Sequence, residues 1–163
     1  MIQAVIFDLD GTLIDLPLDY ERLFEKFSRI LKVDDVRPVT KVVGGLDEKT
    51  RSEIFEAWDE AELAVTEKIA TKSEGMALYR KYLAKPKALV TMQGKALVQA
   101  ILKPLDLSFD LVFTREDSLD RTEQLRMAIE KLNVGSGNIL FVGNTDEDLC
   151  ASQGINCQFL RIR

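Results

Sequence analysis

The feature that most restricts the fold is the apolar run Ala4-Val5-Ile6-Phe7, which leads directly into Asp8-Leu9-Asp10-Gly11-Thr12. An uninterrupted apolar run this short reads as a strand buried on both faces. Side chains alternate along a strand, so Asp8 and Asp10 project to one side while Phe7 and Leu9 project to the other. Gly11 then lets the chain turn sharply. Two neighbouring carboxylates repel, which raises one pKa or recruits a cation, and either outcome suits a nucleophile working beside an acid/base.

From Pro86 onward, short apolar runs alternate with amphipathic stretches long enough for parallel crossovers. Strands are expected at Ala88–Thr91, Leu111–Thr114, Ile139–Val142 and Cys157–Leu160, and helices at Lys95–Leu102, Thr122–Leu132 and Asp146–Ser152. With the first strand they make a five-stranded α/β sheet. Residues 15–85 carry no strand signal. Helical spacing from Leu16 to Lys32, a helix capped by Asp47 and carrying Ile54, Phe55 and Trp58, and further helical stretches over Ala61–Ala70 and Glu74–Leu83 predict an all-helical insertion there, broken at Val42-Val43-Gly44-Gly45. The expected domains are thus a core of residues 1–14 and 86–163 and a helical cap of residues 15–85.

Composition removes whole classes of chemistry. The chain has 163 residues, no histidine and two cysteines, so imidazole bases, Ser-His or Cys-His pairs and the usual zinc sites are excluded. Acid/base work falls to carboxylates. Cys150 and Cys157 are too few for a disulfide framework and are expected as core thiols. A formal net charge of -5 without any Lys/Arg-dense stretch argues against nucleic-acid or membrane partners. With no run of ~18 apolar residues and no basic leader before Asp8, a soluble cytoplasmic protein is expected. Oligomeric state is left open.

In open α/β sheets ligands bind outside the carboxyl ends of the strands. Asp8 and Asp10 follow the first strand, Thr91-Met92-Gln93-Gly94 the second, and Gly143-Asn144-Thr145-Asp146-Glu147-Asp148 the Ile139 strand. The Thr91 hydroxyl and the amides of Met92 and Gln93 are placed to bind a phosphate oxygen; the competing reading makes Thr91 a helix cap.

Asp8-Leu9-Asp10-Gly11-Thr12 is similar to the first signature of the haloacid dehalogenase (HAD) superfamily of hydrolases. Leu89-Val90-Thr91-Met92 resembles its second signature, Val142-Gly143-Asn144 with Asp148 resembles its fourth, and the insertion resembles its helical cap. The resemblance implies a Rossmannoid core and a phosphatase acting on a small phosphorylated metabolite. In that mechanism Asp8 attacks phosphorus and Asp10 serves as acid and then base. Gly11, Thr12, Thr91 and Met92 would lie at the phosphate, and Mg2+ would be held by Asp8, the Asp10 carbonyl, Asn144 and Asp148, with Asp146 as a lesser candidate. Asp10 also separates phosphatases from dehalogenating members.

Two positions depart from that pattern. Asn144 stands where most members have an aspartate, which predicts weaker magnesium binding. No lysine occupies the third signature; Arg121 is the nearest cation, with Arg115 and Lys95 as alternatives. These departures keep a second reading open, a catalytically weakened or inactive HAD fold that binds a ligand. Phosphosugar mutase, phosphonate hydrolase and dehalogenase activities are minor alternatives.

Overall fold

The computed structural model describes residues 1–163. Its main sheet is parallel throughout, with five strands: β1 (Ala4–Phe7), β4 (Lys87–Val90), β5 (Leu111–Phe113), β6 (Ile139–Gly143) and β7 (Gln158–Arg161), in the order β5-β4-β1-β6-β7. The predicted α/β architecture is the one observed. β1 is central, and its four residues are completely buried. Their alternation feeds two cores. Val5 and Phe7 join Leu89, Leu97, Val98 and Val142 on one face, beneath α5 (Lys95–Ile101). Ala4 and Ile6 join Val90, Leu125, Ala128 and Ala151 on the other, beneath α6 (Arg121–Leu132) and α7 (Asp146–Gly154). Because β1 has a parallel neighbour on each side, the chain's winding reverses there, and its carboxyl end is the crevice where such sheets bind ligands.

The cap is smaller than the sequence suggests. A short antiparallel pair, β2 (Ile14–Asp15) with β3 (Ala70–Thr71), closes the insertion at its base. Between them lie α1 (Tyr20–Leu31), α2 (Val39–Gly44) and α3 (Glu48–Leu63), packed around Leu23, Phe27, Val36, Val43, Ile54 and Trp58. α4 (Ser73–Lys81) lies outside the β2–β3 pair and belongs to the core: Tyr79 is buried against Phe7, and its hydroxyl accepts from the Ser108 amide at 2.8 Å. The proposed boundary near residue 85 therefore moves to about Thr71.

The expected helix over Ala61–Ala70 ends at Leu63, because the next residues form a single 3-10 turn and then pair as β3. Val42 to Gly44 is not a break either. It completes α2, and the chain turns at Gly45 before Asp47 caps α3 by accepting from the Thr50 amide. Cys150 is exposed rather than buried, being two positions from Asp148 and so on the outer face of α7, while Cys157 is half-buried with its thiol pushed up to about 11 by that burial.

A buried cation holds the cap to the core. Arg115, just beyond β5 and almost fully buried, reaches into α3, where it meets Asp59 and lies 2.9 Å from Glu62 Oε1. Its guanidinium lies 4.4 Å from the centre of the Trp58 ring. Glu62 Oε1 also accepts from the Gly94 amide at 3.1 Å, whereas its Oε2 is buried without a partner. Burial outweighs the nearby arginine and raises the Glu62 carboxyl from 4.5 to about 7.

That shift fixes a pH dependence. Between 4.5 and about 7 folded Glu62 keeps its proton while the unfolded chain has lost it, so its contribution to stability is full below this window and lost above it. Urea unfolding at pH 4.5 and pH 8 should show the wild type losing about 3 kcal/mol more than Glu62→Gln across the interval. Parallel losses would contradict the assignment.

Candidate active site

β1 delivers Asp8 to the centre of the crevice, its amide donating to the Val142 carbonyl at 2.9 Å. The carboxylate is 4% exposed and faces Arg121, whose Nη2 donates to Asp8 Oδ1 at 3.0 Å. The same guanidinium sets Nε 2.9 Å from Asp148 Oδ1, so one cation spans two buried carboxylates. Arg121 is the first residue of α6. Asp120 caps that helix by accepting from the Thr122 and Glu123 amides, which brings Arg121 to the strand ends.

Gln124, one turn on, fixes the arginine. Its Oε1 accepts from Arg121 Nη1 at 2.8 Å, while its Nε2 donates to the carbonyls of Thr91, Thr114 and Ser118. The other two cations are elsewhere: Arg115 is committed to the cap, and Lys95 is exposed with its amide on Glu116.

Asp148, expected as a ligand, is held at its own helix terminus. Its Oδ2 accepts from the Asn144 and Thr145 amides at 3.1 and 3.2 Å, completing a capping box with Thr145 at the start of α7. Its Oδ1 faces Arg121. Gly143 permits this fold-back, since a Cβ there would sit 2.7 Å from Asp148 Oδ2. Asp146 points outward, with its carboxylate paired to Arg161 at 2.7 Å and 90% exposed.

Asn144 lies across from Asp8. One end of its amide is 3.0 Å from Asp8 Oδ2 and 3.3 Å from the Asp10 carbonyl oxygen. With nitrogen at that end, the amide donates to both oxygens and satisfies a metal-free site. With oxygen there, a carboxylate, a carbonyl and an amide oxygen converge near the ~2.9 Å edge of a magnesium octahedron. Those three oxygens have the donor chemistry that a hard divalent ion takes. Gly11, at φ +82°, makes room: a Cβ there would collide with the Asn144 amide.

Charge also favours a cation. Asp8 and Asp148 share a single guanidinium, and burial raises the Asp8 carboxyl to about 7 against the opposing pull of Arg121. Asp10 is raised as well, again chiefly by burial, although its Oδ1 accepts from the Leu16 amide at 2.9 Å and its Oδ2 from the Tyr20 hydroxyl at 3.1 Å. Thr12 is fully buried and turns its hydroxyl to Asp8 and Asn144, each at 3.3 Å.

Thr91 caps no helix, since Gly94 holds that position on α5. Its hydroxyl donates to Gln93 Oε1 at 2.6 Å and accepts from the Gln93 amide at 3.1 Å. The Met92 carbonyl accepts from Arg115, while the Met92 amide donates to no protein acceptor. Beside Arg121 a cleft of about 510 Å³ opens between Thr40, Lys41 and Gly44 of α2 and Ser118, Asp120 and Glu147 of the core.

Two participants have no sequence signal: Tyr20 reads only as a residue of an amphipathic helix and Gln124 as a polar position beside the apolar stripe of α6. Each acquires its partner through tertiary packing. Gln93, expected to offer its amide to phosphate, commits that amide to Thr91 Oγ1 and takes part through its side chain instead.

The Asn144 geometry has a measurable consequence. Asn144→Asp places a second carboxylate against Asp8 where a neutral amide now sits, so the metal-free protein should lose about 1–3 kcal/mol of stability. Magnesium should then raise the melting temperature of the variant more than that of the wild type, measured by thermal unfolding with and without the ion. Equal shifts would contradict the oxygen set described above.

Residues 5–162 match the family model of haloacid dehalogenase-like hydrolases. A phosphoglycolate phosphatase of Neisseria gonorrhoeae is 25% identical over 185 residues, covering 96% of this chain and 78% of that protein. The fold is similar to that of CbbY from Rhodobacter sphaeroides in complex with phosphate, with a TM-score of 0.71 at 19% identity over 98% of this chain and 85% of that one. It is likewise similar to a mutant of CbbY in complex with xylulose-(1,5)bisphosphate, with a TM-score of 0.67 at 19% identity and the same coverage. With a parallel core, an insertion after the first strand and the Asp8-x-Asp10 turn at the crevice, the chain belongs to the haloacid dehalogenase-like hydrolases.

Proposed function

We propose that this hydrolase is a magnesium-dependent phosphatase that acts on a small phosphorylated metabolite through an aspartyl-phosphate at Asp8. The observation that carries the reading is the buried set formed by Asp8, Arg121 and Asp148 opposite the Asp10 carbonyl and Asn144. The relatives' names point the same way, with one a phosphatase and another holding phosphate.

A divalent ion bound by Asp8, the Asp10 carbonyl and Asn144 would supply positive charge that lets a carboxylate approach an anionic phosphate. The remaining work falls to the chain itself. Arg121 keeps Asp8 oriented and offsets charge that builds on the phosphoryl oxygens. The Met92 amide and the Thr91 hydroxyl bind one of those oxygens, which requires Thr91 to release Gln93.

Asp8 attacks phosphorus as the bond to the leaving oxygen breaks, and protonated Asp10 gives that oxygen its proton. Asp10, now ionised, takes a proton from the water that attacks phosphorus, and the bond to Asp8 breaks to release inorganic phosphate. A phosphatase rather than a dehalogenating reading follows from having an acid at position 10. The neutral Asn144 and the replacement of lysine by Arg121 favour slow turnover, and in the extreme the binding-only reading.

Hydrolysis of p-nitrophenyl phosphate with magnesium, followed by a panel of short phosphorylated acids and sugars, decides the matter. The wild type should turn over, chelation should abolish the activity, and Asp8→Asn should lower kcat by at least ~10³-fold. No turnover on any member by a folded, metal-supplied protein would leave only the binding reading.

A further inference from the structure

A directed chain of hydrogen bonds links the expected phosphate position to the expected acid/base through a residue of the cap. Thr91 Oγ1 donates to Gln93 Oε1 at 2.6 Å, Gln93 Nε2 donates to Tyr20 Oη at 3.2 Å, and Tyr20 Oη donates to Asp10 Oδ2 at 3.1 Å. Each hydroxyl gives its one proton and accepts another, so the direction is fixed from Thr91 to Asp10. Tyr20 is the first residue of α1, and its phenol is held above its ordinary range chiefly by burial, so it remains a donor.

The two oxygens of Asp10 are anchored differently. Oδ1 accepts from the Leu16 amide, at the base of the insertion next to β2. Oδ2 accepts from Tyr20, on the first helix of the insertion. We propose that Tyr20, braced by Gln93, is a positioning residue that orients Asp10 for proton transfer.

With the Leu16 amide alone, Asp10 has one anchor about which its carboxyl can turn; the Tyr20 bond is the second and sets its orientation over the leaving oxygen. Gln93 supplies the core side of that contact through its Nε2 bond to Tyr20. The inference rests on the phosphatase reading, because it assigns Tyr20 to the proton transfer in that reaction.

The test is a leaving-group series: p-nitrophenyl, phenyl and p-methoxyphenyl phosphate, with kcat and KM measured for the wild type, Tyr20→Phe and Gln93→Leu. A leaving oxygen that is stable without a proton gains little from a well-placed acid, whereas a poor one depends on it. Tyr20→Phe should lower kcat less than about threefold on p-nitrophenyl phosphate and about tenfold or more on p-methoxyphenyl phosphate, with KM changed less than twofold. Gln93→Leu should tilt the series in the same sense by a smaller factor. Equal losses across the series, or losses confined to KM, would overturn the role of Tyr20 while leaving the phosphatase reading intact. A wild type inactive on all three esters would instead bring down the phosphatase reading and this inference with it.

Discussion

Asp8 occupies a place where a carboxylate is costly, at the end of the central strand with almost no exposure, and Arg121 is what makes that placement tolerable. An unpaired buried charge costs several kcal/mol or neutralises itself by taking up a proton. The guanidinium answers two such charges together, with Nη2 on Asp8 and Nε beside Asp148, while its third nitrogen is held by Gln124. A flat fork with separate donors can span two carboxylates held apart by different strands, whereas an ammonium is a single point of charge. One cation for two carboxylates leaves the site short of positive charge. That shortage agrees with the upward shift of Asp8 and with an oxygen set spaced for a divalent ion.

Much else is arranged around this pairing. Gly143 lets Asp148 fold back onto its own helix terminus, Gly11 lets Asn144 approach the first turn, and Gln124 ties the arginine to the loops after β4 and β5. The cap is fastened by a second buried arginine, Arg115, whose partners Asp59 and Glu62 come from α3. The molecule thus uses its two buried arginines for separate tasks, one beside Asp8 and one between α3 and the core.

The sheet was legible because buried parallel strands are continuous apolar runs, and the runs at Ala4, Ala88 and Ile139 stand out against charged helices. The start of α3 was legible from Asp47 as its cap, whereas α6 starts at Arg121, one residue before the expected Thr122, because Asp120 caps it. The far edge of the cap was not legible. β3 is two residues long, and its identity comes from pairing with β2 across more than fifty positions, which no local periodicity records. Asp8 was legible as a candidate because it follows a buried strand, while Asn144 and Arg121 were named through the resemblance to the fourth and third signatures. The bonds of Asp148, Tyr20 and Gln93 were not legible, since they depend on how side chains from distant segments meet. Cys150 failed for a simpler reason: a cysteine's usual preference for the interior says nothing about which face of a helix it occupies.

The account depends on Asp8 forming a covalent bond to phosphorus. The most direct measurement is to quench the magnesium-loaded protein with acid during turnover of a phosphomonoester, reduce it with borohydride and map the peptides by mass spectrometry. An acyl-phosphate at Asp8 would be reduced to homoserine at that position, and the account predicts this conversion in the wild type and its absence in Asp8→Asn. Sustained turnover with position 8 recovered only as unmodified aspartate would contradict it.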